Sequence, residues 1–393
     1  MNRRSFLKQG ALLAAAAAAV PLPLAAARQP QVKIGYLPIT DATPLLVAHA
    51  NGHFREEGLD VAPPLKIRSW SALVESFLTD KINVCHMLLP IPVWMRFNRG
   101  VDVKVLAWDH TNGSALTIGG SAGIRDFADL GGRLIAVPHW YSMHNVILQL
   151  GLREAGLSPV IQPRAQPPSD RQTNLVILPP PEMPSALAAG KIDGYIVAEP
   201  YNALSEEKIG AKILRFTGDI WQNHPCCVIV MRERLIREHP LFTQKVISAI
   251  VGAQLWTQRH PVETAGLLGR DGRGYLPVDR EVLLRVFTGY EPERYGPGAV
   301  PQAIRHPDWQ VSRIGFQPYP FPSATRFIIR EMAATVMEGD ASFLRALDPE
   351  TGARELTDDS FAKKAITDLG GLDAFRVTGL DGPWSRSEVI SLQ

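Results

Sequence analysis

Residues 32–39 read Val-Lys-Ile-Gly-Tyr-Leu-Pro-Ile, and residues 82–89 read Ile-Asn-Val-Cys-His-Met-Leu-Leu. Both are apolar runs of strand length. Between them Thr43 can cap and Pro44 can open a helix running to about Glu57, with Gly58 as its stop. Residues 59–61 begin another extended segment, and residues 69–79 read as a second helix with Trp70 in its first turn. Strands alternating with helices of this length predict a parallel-rich sheet covered by helices on both faces, an α/β architecture.

The pattern repeats downstream. Residues 134–138 read as a strand, and Ser142 can cap a helix to about Ala155 that stops at Gly156. Residues 176–178, 195–198 and 213–216 read as strands, with a short helix over 185–189. Lys81-Ile82-Asn83 opens a strand that ends at Pro90; Lys191-Ile192-Asp193 opens one that ends at Pro200. The equal spacing predicts two lobes of similar topology. Residues 115–118 and 228–231 read as two crossover strands that hinge them. Lobe 1 is then discontinuous, over 32–117 and 229–330, and lobe 2 is inserted at 118–228. Residues 241–258 make a strong helix, with Phe242, Val246, Ile250 and Val251 on its apolar side. Helix returns over 327–337, and residues 331–393 form a helical and then irregular extension.

The start of the chain reads as an address. Arg3-Arg4-Ser5-Phe6-Leu7-Lys8 precedes an apolar run from Ala11 to Leu24 and then Ala25-Ala26-Ala27. This order predicts a cleaved twin-arginine signal peptide over 1–27 and a periplasmic destination. The apolar run is too short to span a bilayer comfortably and contains Pro21 and Pro23. The formal charge is +2, and Arg3, Arg4 and Lys8 leave with the signal. A near-neutral mature protein has no electrostatic case for nucleic acid or anionic lipid. At 46% hydrophobic and 20% charged residues the composition is that of an ordinary globular protein. The three cysteines, Cys85, Cys226 and Cys227, are an odd count with two adjacent members, so the fold is expected not to rest on disulfides.

Four motifs bear on chemistry. Gly119-Gly120-Ser121-Ala122-Gly123 matches a nucleophile pattern, but no helix follows directly, so Ser121 is not expected to be catalytic. His224, Cys226 and Cys227 have metal-binding side chains. Neighbours on a strand point to opposite faces, so the two cysteines are expected to diverge, with one facing a cleft and no metal bound. His86 and His144 are single histidines. Residues 139–145, His-Trp-Tyr-Ser-Met-His-Asn, collect two histidines, two aromatics, a serine and an amide at a strand-to-helix turn. That is a common ligand position in open α/β sheets, although the same residues also suit a decorated surface loop.

The stretches K-I-G-Y-L-P-I-T-D-A-T-P-L, R-S-W-S, H-M-L-L-P-I-P, T-N-G-S-A-L-T-I, V-A-E-P-Y-N and Q-P-Y-P-F resemble, in order and spacing, one known family. It is the substrate-binding proteins of ABC importers for nitrate and bicarbonate and, more distantly, alkyl sulfonates. The likeness covers about residues 32–330. It implies a type II periplasmic-binding-protein fold closing on a small molecule, a permease partner in the inner membrane, no cofactor, no enzymatic activity and a monomer. It also implies a ligand site. Trp70 keeps the family's cleft tryptophan, and His144 falls at its histidine. Ser114 stands where the family has Gln, Ala198 where it has Gly, and Cys227 where it has Lys. A buried anion needs a compensating cation or many donors, so these departures argue against nitrate and bicarbonate. The aromatic set Trp70, Trp140 and Tyr141 then points to a larger, flatter or less charged ligand. The expected lining is Asp41, Trp70, His86, Ser114, Trp140, Tyr141, His144, Ala198, Glu199, Cys226 and Cys227.

Two alternatives share this fold. One is an exported enzyme similar to thiamine-pyrimidine synthases, which carry a cysteine-rich stretch and a bound pyridoxal cofactor; its biosynthesis belongs inside the cell, against the export signal. The other is a ligand-sensing subunit of a membrane kinase.

Overall fold

The computed structural model describes residues 29–309 and 312–393; the signal-peptide reading lies outside them. Five strands form a first sheet in the order β2-β1-β3-β12-β4: β1 (Ile34–Tyr36), β2 (Leu65–Lys66), β3 (Val84–Leu88), β4 (Val103–Trp108) and β12 (Cys227–Arg232). Six form a second sheet in the order β11-β6-β10-β7-β9-β8: β6 (Ser114–Ile118), β7 (Leu134–Val137), β8 (Ser158–Val160), β9 (Gln172–Ile177), β10 (Gly194–Ala198) and β11 (Lys212–Phe216). A short ribbon of β5 (Thr111–Asn112) and β13 (Ile314–Gly315) lies beside the chain's passage from one sheet to the other.

The two sheets share one wiring. In the first, β1 runs parallel to both β2 and β3, and β12 is antiparallel between β3 and β4. In the second, β7 runs parallel to β9 and β10, and β6 is antiparallel between β10 and β11. Each sheet thus holds one reversed strand in its interior, where both edges are hydrogen-bonded. Such a strand needs apolar side chains on both faces: Ser114-Ala115-Leu116-Thr117-Ile118 is buried throughout, and β12 is buried except at Arg232.

The Lys-Ile-Asn/Asp repeat marks the third strand of each sheet, β3 and β10. Asn83 Oδ1 accepts from Lys33 N at 2.8 Å, and Asp193 Oδ2 accepts from Leu134 N at 2.8 Å. In each case a side chain just before the third strand ties down the start of the first. The prolines are equivalent too: Pro90 is the first residue of helix Pro90–Phe97, and Pro200 is the N-cap of helix Tyr201–Ile209.

Local signals hold at several helix ends. Ser69 caps Trp70–Leu78 by accepting from Ala72 N at 3.3 Å, and Ser142 caps Met143–Glu154 by accepting from Asn145 N at 3.0 Å. Thr43 differs from its expected role. A 3-10 turn, Thr40–Ala42, precedes it, Ala42 is the N-cap, and the Thr43 hydroxyl donates back to Thr40 O at 2.6 Å. That helix stops at Gly52, whose φ of 86° only glycine adopts without strain, rather than at Gly58. Helix Pro322–Ala333 begins five residues before its expected start because Pro322 opens it. Beyond it, Pro349–Leu356 and Ser360–Asp368 pack on the helices and β4 of the first sheet, and the chain end returns to Ile220–Gln222 through Gln222 N→Val389 O and Ser391 N→Ile220 O.

We expect Asn83→Ala and Asp193→Ala each to cost about 1 kcal/mol, the typical value of one such hydrogen bond. The double variant is expected to lose the sum, since the two sites share no partner. Urea denaturation of the four proteins checks this.

Candidate functional site

Parallel strands bring their carboxyl ends to one side of a sheet, and a reversed strand brings its amino end to that same side. The ends of β1, β3, β4, β7 and β10 therefore meet the beginnings of β6 and β12. The chain leaves β1 through residues 37–39 into the turn carrying Asp41. It leaves β4 at Trp108 into Asp109-His110, and reaches Ser114 by a turn in which Asn112 (φ 57°) and Gly113 (φ 77°) are both left-handed. A Cβ on Gly113 would lie 3.0 Å from the His110 ring, so glycine is required there on two counts.

The result is a buried polar cluster at the junction of the sheets. Asp41 Oδ2 is its hub: His110 Nε2 lies 3.0 Å away, Cys227 Sγ 3.0 Å and Cys226 Sγ 3.6 Å. Cys226 Sγ also faces Ser114 Oγ at 3.8 Å and His144 Nε2 at 3.9 Å, and Ser114 Oγ and His144 Nε2 are 2.9 Å apart. His86 accepts the Leu37 N–H on Nε2 at 3.0 Å, so its neutral ring carries its proton on Nδ1. Trp70 tilts over that ring at 5.5 Å. The indole N–H of Trp70 and the Nδ1–H of His86 are buried donors without a partner among the described residues.

Electrostatics separates the two thiols. Burial raises both, but the neighbouring Cys227 thiol, His144 and His110 bring Cys226 well below an ordinary cysteine. Burial, together with the neighbouring Cys226 sulfur and the Asp41 carboxylate that accepts its S–H, leaves Cys227 well above one. Burial raises Asp41, with His110 opposing it, while Asp41 holds the His110 proton against burial. Burial pushes His86 down to about 3 and His224 down to about 4.

Of the expected residues, Asp41, Trp70, His86, Ser114, His144, Cys226 and Cys227 come together here, with Ala198 paired across the strands to Ser114. Three expectations need correction. Cys226 and Cys227 converge rather than diverge: β12 begins only at Cys227, and Cys226, whose carbonyl takes the Leu89 N–H, lies ahead of the regular alternation. The Glu199 carboxylate is already claimed. Oε1 lies 2.6–2.7 Å from the Arg313 guanidinium, and Oε2 accepts from Ala203 N at 3.0 Å; only its backbone carbonyl reaches across, taking Thr40 N and Oγ1. Trp140 and Tyr141 turn toward the C-terminal extension. Trp140 Nε1 donates to Glu338 at 3.1 Å, and Tyr141 stacks on Trp94 and donates to Asp340 O. His224 also stays out, held by Thr217 Oγ1 at 2.8 Å and Pro225 O at 3.0 Å.

Sequence reasoning missed two residues. His110 had a signal, an Asp-His pair between a buried strand and an Asn-Gly turn. Arg313, buried between Glu199 and Glu206 and far from both in sequence, had none.

The family model described as "NMT1-like family" matches residues 25–266. The chain is 28% identical to the nitrate/nitrite binding protein NrtA of a Nostoc species over 261 residues, 60% of this chain and 57% of that protein. It therefore spans little more than half the length of that curated relative. Among solved structures, the periplasmic nitrate-binding protein NrtA of Synechocystis PCC 6803 superposes with a TM-score of 0.71 at 18% identity, covering 92% of this chain and 93% of that one. The alkanesulfonate-binding protein SsuA of Xanthomonas axonopodis pv. citri, bound to MOPS, gives 0.59 at 17% identity, covering 86% and 99%. At these identities the likeness shows a shared periplasmic-binding fold.

Two outcomes follow from the buried charges. Arg313→Met leaves Glu199 and Glu206 without their shared cation and is expected to cost about 3–5 kcal/mol in urea denaturation. Because an unfolded histidine titrates near 6.5, the unfolded chain takes up protons before His86 and His224 do. The stability these two neutral rings contribute is thus fully present above about pH 6.5 and falls as the pH drops toward about 4. His224→Gln should flatten that decline in a pH series of urea midpoints.

Proposed function

The chain belongs to the NMT1-like family, and from that membership we propose that it is the solute-binding component of an ABC-type importer. Its two sheet-bearing lobes, the first carrying β1 to β4 and β12 and the second β6 to β11, close on a small molecule and present it to a permease in the inner membrane. The leader over 1–27 directs it to the periplasm, where it works as a monomer. The similarity to a nitrate/nitrite binding protein supports the class of activity. The observation that carries the reading is the buried polar cluster where the two sheets meet, beside the Trp70 and His86 rings, whose N–H groups have no partner among the described residues.

The solute is a small neutral molecule with hydrogen-bond acceptors, rather than nitrate or bicarbonate. Two facts support this. The cations beside the cluster are claimed, His110 by Asp41 and Arg313 by Glu199 and Glu206. The unpartnered N–H groups of Trp70 and His86 are neutral donors, which leave the charge of a buried anion uncompensated.

Thermal-shift and calorimetric titrations across nitrate, bicarbonate, cyanate, sulfonates, amides and pyrimidines test this. Neutral amides or pyrimidines are expected to raise the melting temperature with one site per chain, and nitrate and bicarbonate to leave it unchanged. Trp70→Phe, which keeps a ring but loses the N–H, is expected to weaken the responding solute by about tenfold. Tight nitrate or bicarbonate binding would overturn the choice of solute; no saturable binding by any solute would overturn the importer reading.

A further inference from the structure

We propose that Asp41, His110, Cys226 and Cys227 form a closed tetrahedral site for a thiophilic divalent cation of the zinc class. The proposal goes beyond the importer reading and does not depend on it.

One ligand atom from each of the four side chains lies within 4.8 Å of all the others, and all four residues are fully buried. A zinc ion sits about 2.0–2.2 Å from nitrogen and oxygen and about 2.3 Å from sulfur, so tetrahedral ligands stand about 3.3–3.8 Å from one another. From the Asp41 Oδ2 corner, the three edges measure 3.0 Å to His110 Nε2, 3.0 Å to Cys227 Sγ and 3.6 Å to Cys226 Sγ. Small outward movements of side chains would bring the set to coordination distance.

The chemistry of the donors points the same way. His110 Nε2 also faces the Cys227 N–H at 3.3 Å, which can only donate. The same nitrogen stands 3.0 Å from Asp41 Oδ2, and an ion bound there would displace the proton it shares with that carboxylate. Asp41 Oδ1 and His110 Nδ1 are buried with no hydrogen-bond partner among the described residues. Two sulfurs, one imidazole and one carboxylate select zinc-like ions over magnesium and calcium, which want oxygen. With four protein ligands no coordination position is left for a substrate, the arrangement of a structural site. Ser114 and His144 stand behind Cys226, 3.8 and 3.9 Å from its sulfur, where they orient it. The ion would tie three distant stretches of chain: the turn after β1, the end of β4 and the start of β12.

The purified protein, reduced and stripped with a chelator, is titrated with Zn²⁺ and separately with Co²⁺. One equivalent per chain is expected, with tetrahedral cobalt bands, a thiolate-to-cobalt charge-transfer band and a higher melting temperature with zinc. Cys226→Ser, Cys227→Ser and His110→Gln should each weaken binding by about 100-fold or more, beyond what loss of an outer partner costs. Cys85→Ser, which alters a thiol outside the cluster, should leave binding intact. The wild-type cobalt spectrum decides the question even if a variant fails to fold. No uptake, octahedral cobalt without a thiolate band, or loss of the band in Cys85→Ser would overturn the proposal. Metal-free protein that still binds a solute would leave the importer reading standing, and metal-loaded protein that binds none would count against that reading alone.

Discussion

The molecule is organised by one constraint: each sheet carries an interior strand that runs against its neighbours. β6 leads the chain into the second sheet, and β12 returns it to the first. A reversed interior strand presents its amino end where the parallel strands present their carboxyl ends. Ser114 and the cysteine pair reach the junction for that reason, beside Asp41, His110 and His144. The same reversal explains why both strands are almost wholly apolar beyond their first residues.

Around that junction the buried charges sort into two groups with different work. Arg313, Glu199, Glu206 and Tyr295 form a network in which both carboxylates meet the guanidinium. Arg294 and the Ala203 N–H complete it at Glu206 and Glu199, and removing one member would leave buried charge uncompensated. The Asp41–His110–Cys226–Cys227 group is the opposite case. Its members face one another, yet leave Asp41 Oδ1 and His110 Nδ1 unpartnered among the described residues. A buried polar group without a partner is expensive, so this is where the fold invites an ion or solute.

Much of the architecture was legible in the chain. Ser142 was readable as a cap because an N-cap bond is local, spanning three residues; Ser69, read as the first residue of its helix, caps it in the same way. The paired Lys-Ile-Asn/Asp stretches were readable as equivalent strands, and both polar side chains do the same job at the start of a first strand. Trp70, Ser114 and His144 were expected together only through the resemblance to nitrate and bicarbonate binders, and the wiring of the two sheets gives the physical reason they lie close. The contacts of Trp140 and Tyr141 were not legible. Their neighbours, Glu338 and Asp340, lie about two hundred positions away, and no periodicity links them.

The amino-acid sequence by itself determined the alternation of strands and helices, the repeated unit and the polar residues at the strand ends, because these rest on local propensities and on period. Only the tertiary structure decided where each side chain is spent. It turned two adjacent cysteines onto one carboxylate, since Cys226 sits ahead of the strand whose alternation would have parted them. It also took Glu199 out of the junction, because Arg313, supplied by a distant loop, claims its charge first. Pairings of this kind are set by distances in space between residues far apart along the chain, and a linear pattern carries no record of them.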